Sequence, residues 1–233
     1  MNKRYIISET VKLYPRVIPH LSGEARQIML DEFKTYDYFL TVLTRLIRSV
    51  YAGLLGGEFI DILANLIQGQ LTQAYEQAWI DDGNQLPMPA ELTEAANALI
   101  VQQFGYVDQF YRDIVDARID GTPIAPLEAR AQFWAARYNE AYNDAKMRIA
   151  LQMGAKLKWI EGDTKEKCDT CVSLNGIVAY ASVWDRLNVH PQGAPNDHIE
   201  CGGWNCKCML VPTDERQTRD AENRIAEIVG RRK

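Results

Sequence analysis

The stretch Gly154-Ala155-Lys156-Leu157-Lys158-Trp159-Ile160, followed by Cys168-Asp169-Thr170-Cys171, marks where this chain changes character. Lys156 to Ile160 alternates polar and apolar residues, the period of a short strand with one buried face. Everything before Gly154 carries the three-and-four spacing of helices. The fifty residues after Ile160 hold all five cysteines, two of the three histidines and many Gly, Asn, Asp and Pro residues. The fold class expected from this break is mainly α. A bundle of long N-terminal helices precedes a small α+β segment with short strands, built as a zinc knuckle.

Upstream, four helices are expected. From Glu24, the residues Ile28, Met29, Phe33, Tyr36, Leu40, Leu43, Leu46, Ile47 and Val50 share one helical face. Ser22 suits the cap of that helix, and Glu24 and Asp31 lie toward its positive end. Gly53, Gly56 and Gly57 end it. A second helix carries Phe59, Leu63, Leu66, Ile67, Leu71, Tyr75 and Trp79, and stops at Asp81-Asp82-Gly83-Asn84. A third runs from about Pro89 to Ile119 and ends at Asp120-Gly121-Thr122-Pro123. The fourth runs from about Pro126, acceptable in a first turn, to Met153. Its stripe of Trp134, Tyr138, Tyr142, Ala145 and Ile149 reads as packing surface. Downstream, Met209-Leu210-Val211-Pro212 reads as a closing strand. The domains expected are residues 1–125, helical; 126–213, a helix plus the cysteine-rich segment; and 214–233, a charged tail or exposed helix.

Composition narrows the function. A chain of 233 residues with 47% hydrophobic and 24% charged residues is an ordinary globular protein, long enough to bury a core without covalent staples. Its net charge of −5 disfavours a generally basic nucleic-acid binder. The start, MNKRYIISETVKLYPRV, lacks the apolar core of a secretory signal, and the most apolar run, Leu40 to Leu55, is broken by Arg45 and Arg48. A cytoplasmic setting without a membrane anchor is therefore expected. There, clustered cysteines more often hold metal than form disulfides.

The cysteines themselves suggest which metal. Cys168-Asp169-Thr170-Cys171 is a C-x-x-C, a spacing that on a tight turn aims two sulfurs at one point. Cys206-Lys207-Cys208 has the two-residue offset that puts side chains on the same side of an extended strand. The preferred ligands of a structural Zn2+ are Cys168, Cys171, Cys206 and Cys208, with Cys201 and His198 in reserve. Reduced thiols, a disulfide and a catalytic metal remain open at this point.

Two catalytic patterns are met in part. His198-Ile199-Glu200 is an H-x-E, but zinc deaminases place theirs before a P-C-x-x-C, whereas here the order is reversed and Lys167 stands for the proline. Asp197-His198, near Gly202-Gly203 and Asn205, has the flavour of an HNH-type metal-dependent nuclease, yet only ten residues separate it from the closing strand. No glycine-rich phosphate loop, G-x-S-x-G or H-E-x-x-H is present.

The ordered block resembles the head morphogenesis, or minor head protein, family of tailed bacteriophages, named after the phage Mu F protein. Its members carry an A-R-T-E-like helical segment, a tryptophan, a C-x-x-C-x-x-L-x-G and an H-P-x-C-R-C. The counterparts here are Ala136-Arg137-Tyr138-Asn139-Glu140, Trp159, Cys168 to Gly176, and Trp204-Asn205-Cys206-Lys207-Cys208. The match covers about residues 126–213. Tyr138-Asn139 replaces the T-type position, and Gly203-Trp204 stands where H-P is expected, leaving His198, Cys201 or Cys208 to complete a metal site. The resemblance implies a non-enzymatic virion protein, in the host cytoplasm during assembly. Its implied partners are portal, major capsid or scaffold protein, and DNA for members that enter the head. A metal-dependent nuclease and a zinc-stabilised adaptor for a helical partner are the alternatives.

Overall fold

The computed structural model describes residues 36–162, 167–193, 196–203 and 206–230. Among them are seven helices and one three-stranded antiparallel sheet, so the protein is mainly helical with a small α+β part near its C-terminal end. The long helices are α1 (Tyr36–Tyr51), α2 (Glu58–Ile80), α3 (Ala90–Asp120) and α4 (Ala125–Gln152). The last three match the sequence periodicity to within a residue or so. For α1, the expected start at Ser22 and the positions Glu24, Ile28, Met29, Asp31 and Phe33 lie outside the described residues. No described helix is long and apolar enough to cross a membrane.

The chain forms two compact units. Among the described residues, one takes 36–73 together with Glu94–Tyr138, and the other takes Ala74–Thr93 and the described residues from Asn139 to Gly230. The boundaries fall inside α2, α3 and α4, whereas the borders expected from the sequence lay near residues 125 and 213. A long helix can supply one buried stripe to one core and a second stripe to the next, and sequence texture does not show where the change occurs.

In the first unit, Leu43, Ile47, Phe59, Leu63, Leu71, Phe110 and Ile114 are at most 0% exposed. Phe110 sits edge-on to Phe59 at 6.1 Å between centroids and stacks on Trp134 at 6.0 Å. Arg130 lies 4.5 Å over the Phe110 ring and pairs with Asp113 at 2.5 Å, joining α4 to α3. Buried Gln70 satisfies its amide by donating to the Ala135 carbonyl at 3.0 Å.

The second unit is organised around the sheet. Its strands are β1 (Lys156–Ile160), β2 (Val178–Tyr180) and β3 (Met209–Pro212), in spatial order β2-β1-β3. Register pairs Leu157 with Ala179 and Trp159 with Leu210. Leu157 and Trp159 therefore face the core, as the alternation predicts. Three short helices complete the unit: α5 (Asp169–Leu174), α6 (Ala181–Arg186) and α7 (Ala221–Gly230). Trp159 lies against Trp184 of α6 with ring centroids 5.7 Å apart. The helical side of this unit carries the buried Tyr75 hydroxyl, which donates to Asp144, itself bound by Arg148 at 2.6 Å.

Residues 214–230 are a correction. They were expected to be a charged tail or exposed helix. Instead, α7 buries Ala221, Ile225 and Val229 in the same core as Trp159 and Trp184. Those three residues are four apart, one stripe of a helix, and the dense charge around them masks it. The chain leading into α7 is also tied down: Lys156 donates to the Asp214 carbonyl at 3.1 Å, and Thr218 donates its N–H to Val178 at 2.9 Å.

Candidate metal centre

Each part of the cysteine block has a local reason for its shape. Cys168 is not on a free tight turn but caps α5, and its sulfur accepts the Cys171 N–H at 3.4 Å. The C-x-x-C spacing thus spans the first turn of a helix. Leu174 then enters the core, 0% exposed. Asn175 ends the helix and its side-chain oxygen accepts the Glu161 N–H at 3.1 Å. Gly176 follows at φ +80°, a conformation costly for any other residue, and donates to the Trp159 carbonyl at 2.9 Å. The C-x-x-C-x-x-L-x-G pattern is therefore a short helix, a core anchor and a left-handed turn that docks on β1.

The C-x-C segment reaches the same place from β3. It passes Gly162 so closely that a Cβ there would lie 2.4 Å from the Lys207 backbone. Real side chains do not tolerate that approach, so glycine is required where the chain leaves β1. Gln192 holds the other side, donating to the Cys208 carbonyl at 3.0 Å.

Cys201 arrives on a loop built by buried Asn196. The Asn196 side chain donates to the Asn188 carbonyl at 3.2 Å and accepts the His198 N–H at 2.9 Å. Its own N–H donates to the Gly202 carbonyl at 2.8 Å. Glu200 then clamps the loop to α5: its carboxylate accepts the Asp169 N–H at 2.7 Å.

All five cysteines are free thiols, with Cys171 and Cys208 buried and the others half-buried. Their sulfurs form two groups of three, Cys168–Cys171–Cys201 and Cys171–Cys206–Cys208. Within each, every sulfur lies within 4.8 Å of the others. The four preferred ligands thus come together, but divided between the groups. Cys201, held in reserve, stands in one of them. His198 is in neither, and its H-x-E partner Glu200 is used as a helix clamp. Arg137 and Glu140 lie on α4, both half-buried. The sequence motifs mark Glu200 only as half of an H-x-E and not as a clamp, and they do not mark Gly162 or Asn196. Of these two, only Asn196 leaves a signal, as an Asx residue before a Gly-rich turn.

The electrostatics of the cluster favour anionic sulfur. Cys201 is drawn down to about 2, first by its bond with Cys171 and next by that with Cys206. Cys208 is drawn down to about 3 by the same two partners. Cys171 is pushed up, chiefly by its bond with Cys201. Cys206 is pushed up as well: Cys171 pulls it down, but its bonds with Cys201 and Cys208 outweigh that. The sulfurs bond to one another, and a thiophilic cation would take them in the thiolate form, which is the ligand form.

The donor set passes the fit test for such an ion. Ligand sulfurs around zinc, about 2.3 Å from it, are roughly 3.8 Å apart, and sulfurs already within 4.8 Å reach that by small side-chain adjustments. Half-buried Cys168, Cys201 and Cys206 pack against the apolar core. The cluster can hold a metal ion. No family model, curated protein or solved structure matches the chain.

Proposed function

We propose that this protein is a structural minor head protein of a tailed phage, stabilised by Zn2+ and working through contacts with portal, capsid or scaffold protein rather than through catalysis. One observation carries the reading. The C-x-x-C and C-x-C segments stand in the order and spacing of the phage Mu F-like block, and their sulfurs converge beside the strand that bears Trp159. A set of all-sulfur donors with no carboxylate or imidazole among them favours zinc over harder ions.

In this reading the cysteines of the α5 turn, the Cys201 loop and the segment leading into β3 would hold the ion, which would cross-link those elements. Short elements that could not fold alone gain a fixed geometry, and the surrounding surface becomes a stable docking face. The long amphipathic helices suit helical partners in a head assembly.

The experiment is co-purification: from infected or induced cells, the protein should travel with portal or with procapsids. Its absence from portal, procapsids and mature heads sinks the proposal. Purified protein should also leave DNA intact, with and without added divalent metal. Cleavage abolished by His198→Ala would move the assignment to the nuclease reading.

A further inference from the structure

Zinc takes four ligands, and this cluster offers five. The fifth is not a bystander at the rim. The sulfurs group as two threes that share Cys171, rather than as a four with a spare. Each three is compact enough to hold an ion by itself, and the shared sulfur is buried at the junction. A thiolate has lone pairs enough to bridge two cations, which neither imidazole nor a thioether does as readily.

Resting on the reading of these cysteines as a metal centre, we propose that the cluster binds two divalent d10 ions, one in each group of three sulfurs, with Cys171 bridging them. Cys168 and Cys201 are terminal ligands of one ion, and Cys206 and Cys208 of the other. A solvent molecule completes each tetrahedron, as at other three-ligand zinc sites.

Charge balance argues the same way. A single divalent ion in four thiolates leaves two net negative charges against an apolar core. Two such ions in five thiolates leave one. Uncompensated charge beside an apolar core is costly, so the second ion lowers that cost. The arrangement also gives the fifth cysteine a role.

Native mass spectrometry of the full chain, purified reduced and supplied with Zn2+, tests it. The expected mass addition is two zinc ions per chain, falling to one in Cys201→Ser. One ion in the wild type overturns the bridged centre but leaves a single structural zinc standing. No bound ion overturns both. Titration with Co2+ gives a second measurement on the wild type alone, in case Cys201→Ser does not fold. Thiolate-to-cobalt absorption that saturates at two equivalents per chain supports the bridged pair, and saturation at one refutes it.

Discussion

Gly162 shows how one atom's space shapes the metal centre. The missing Cβ is where the Lys207 backbone passes, and Lys207 sits between two candidate ligands. In Gly162→Ala the added methyl would overlap that backbone at 2.4 Å, so the C-x-C segment must move outward. Overpacking of this kind costs about 1–3 kcal/mol. The expected outcome is a lower unfolding temperature and faster zinc loss to a competing chelator. Wild-type behaviour in both would mean the segment has slack that the geometry does not suggest. The cysteines were legible in the sequence because metal-ligand spacing is a local pattern. Gly162 was not, because its neighbour lies 45 residues further along the chain. Asn196 was half-legible: an Asx turn shows in sequence, but the distant carbonyls it binds do not.

At the scale of elements, the helices with long stripes were readable and the short ones were not. α5 and α6 have six residues each and β2 has three, too few for a period to emerge. α7 was readable in principle, but its three apolar contacts are scattered among charges. The packing makes a clear demand of it: Ile225 is 0% exposed in the core beside the sheet. Ile225→Ala should destabilise the protein by about 2–4 kcal/mol, measured by denaturant unfolding. An effect of a few tenths would return the segment to the exposed helix first expected.

The α3–α4 junction makes a second prediction at this scale. Burial acts most strongly, to raise the Asp113 carboxyl, but the bonds from Arg130 and Gln109 and the Arg130 charge together outweigh it, and the group ends below the usual carboxylate range. A lowered folded-state value means the unfolded chain binds more protons in acid. The contribution is thus complete above the unfolded value near pH 4 and is lost as pH falls through the folded one. Arg130→Met removes this pairing and the cation's contact with Phe110. Because both partners are partly exposed, the cost should be about 1 kcal/mol at neutral pH. The gap in unfolding temperature between variant and wild type should narrow between pH 6 and pH 3. A gap independent of pH would assign the whole effect to packing on the ring.

For the whole molecule, the decisive fact is that every cysteine belongs to the unit that contains the sheet. The other unit has its own aromatic core of Phe59, Phe110 and Trp134 and no metal-ligand group among its described residues. The two units should therefore respond differently to metal removal. The cysteine segment combines short helices, three short strands and long irregular connections, so little of its stability can come from local helix formation. Burial around Trp159 and Trp184 supplies part of it, and on the proposed reading a bound ion would supply the rest. Hydrogen exchange read peptide by peptide separates these contributions. With zinc chelated under reducing conditions, amides of β1, α5 and β3 should lose protection by at least about tenfold, while those of α1 and the Phe59 end of α2 stay unchanged. Uniform loss across the chain would show that folding of both units depends on the ion. No loss anywhere would mean that the apolar core alone holds the sulfurs together, and the structural role assigned to zinc would fall.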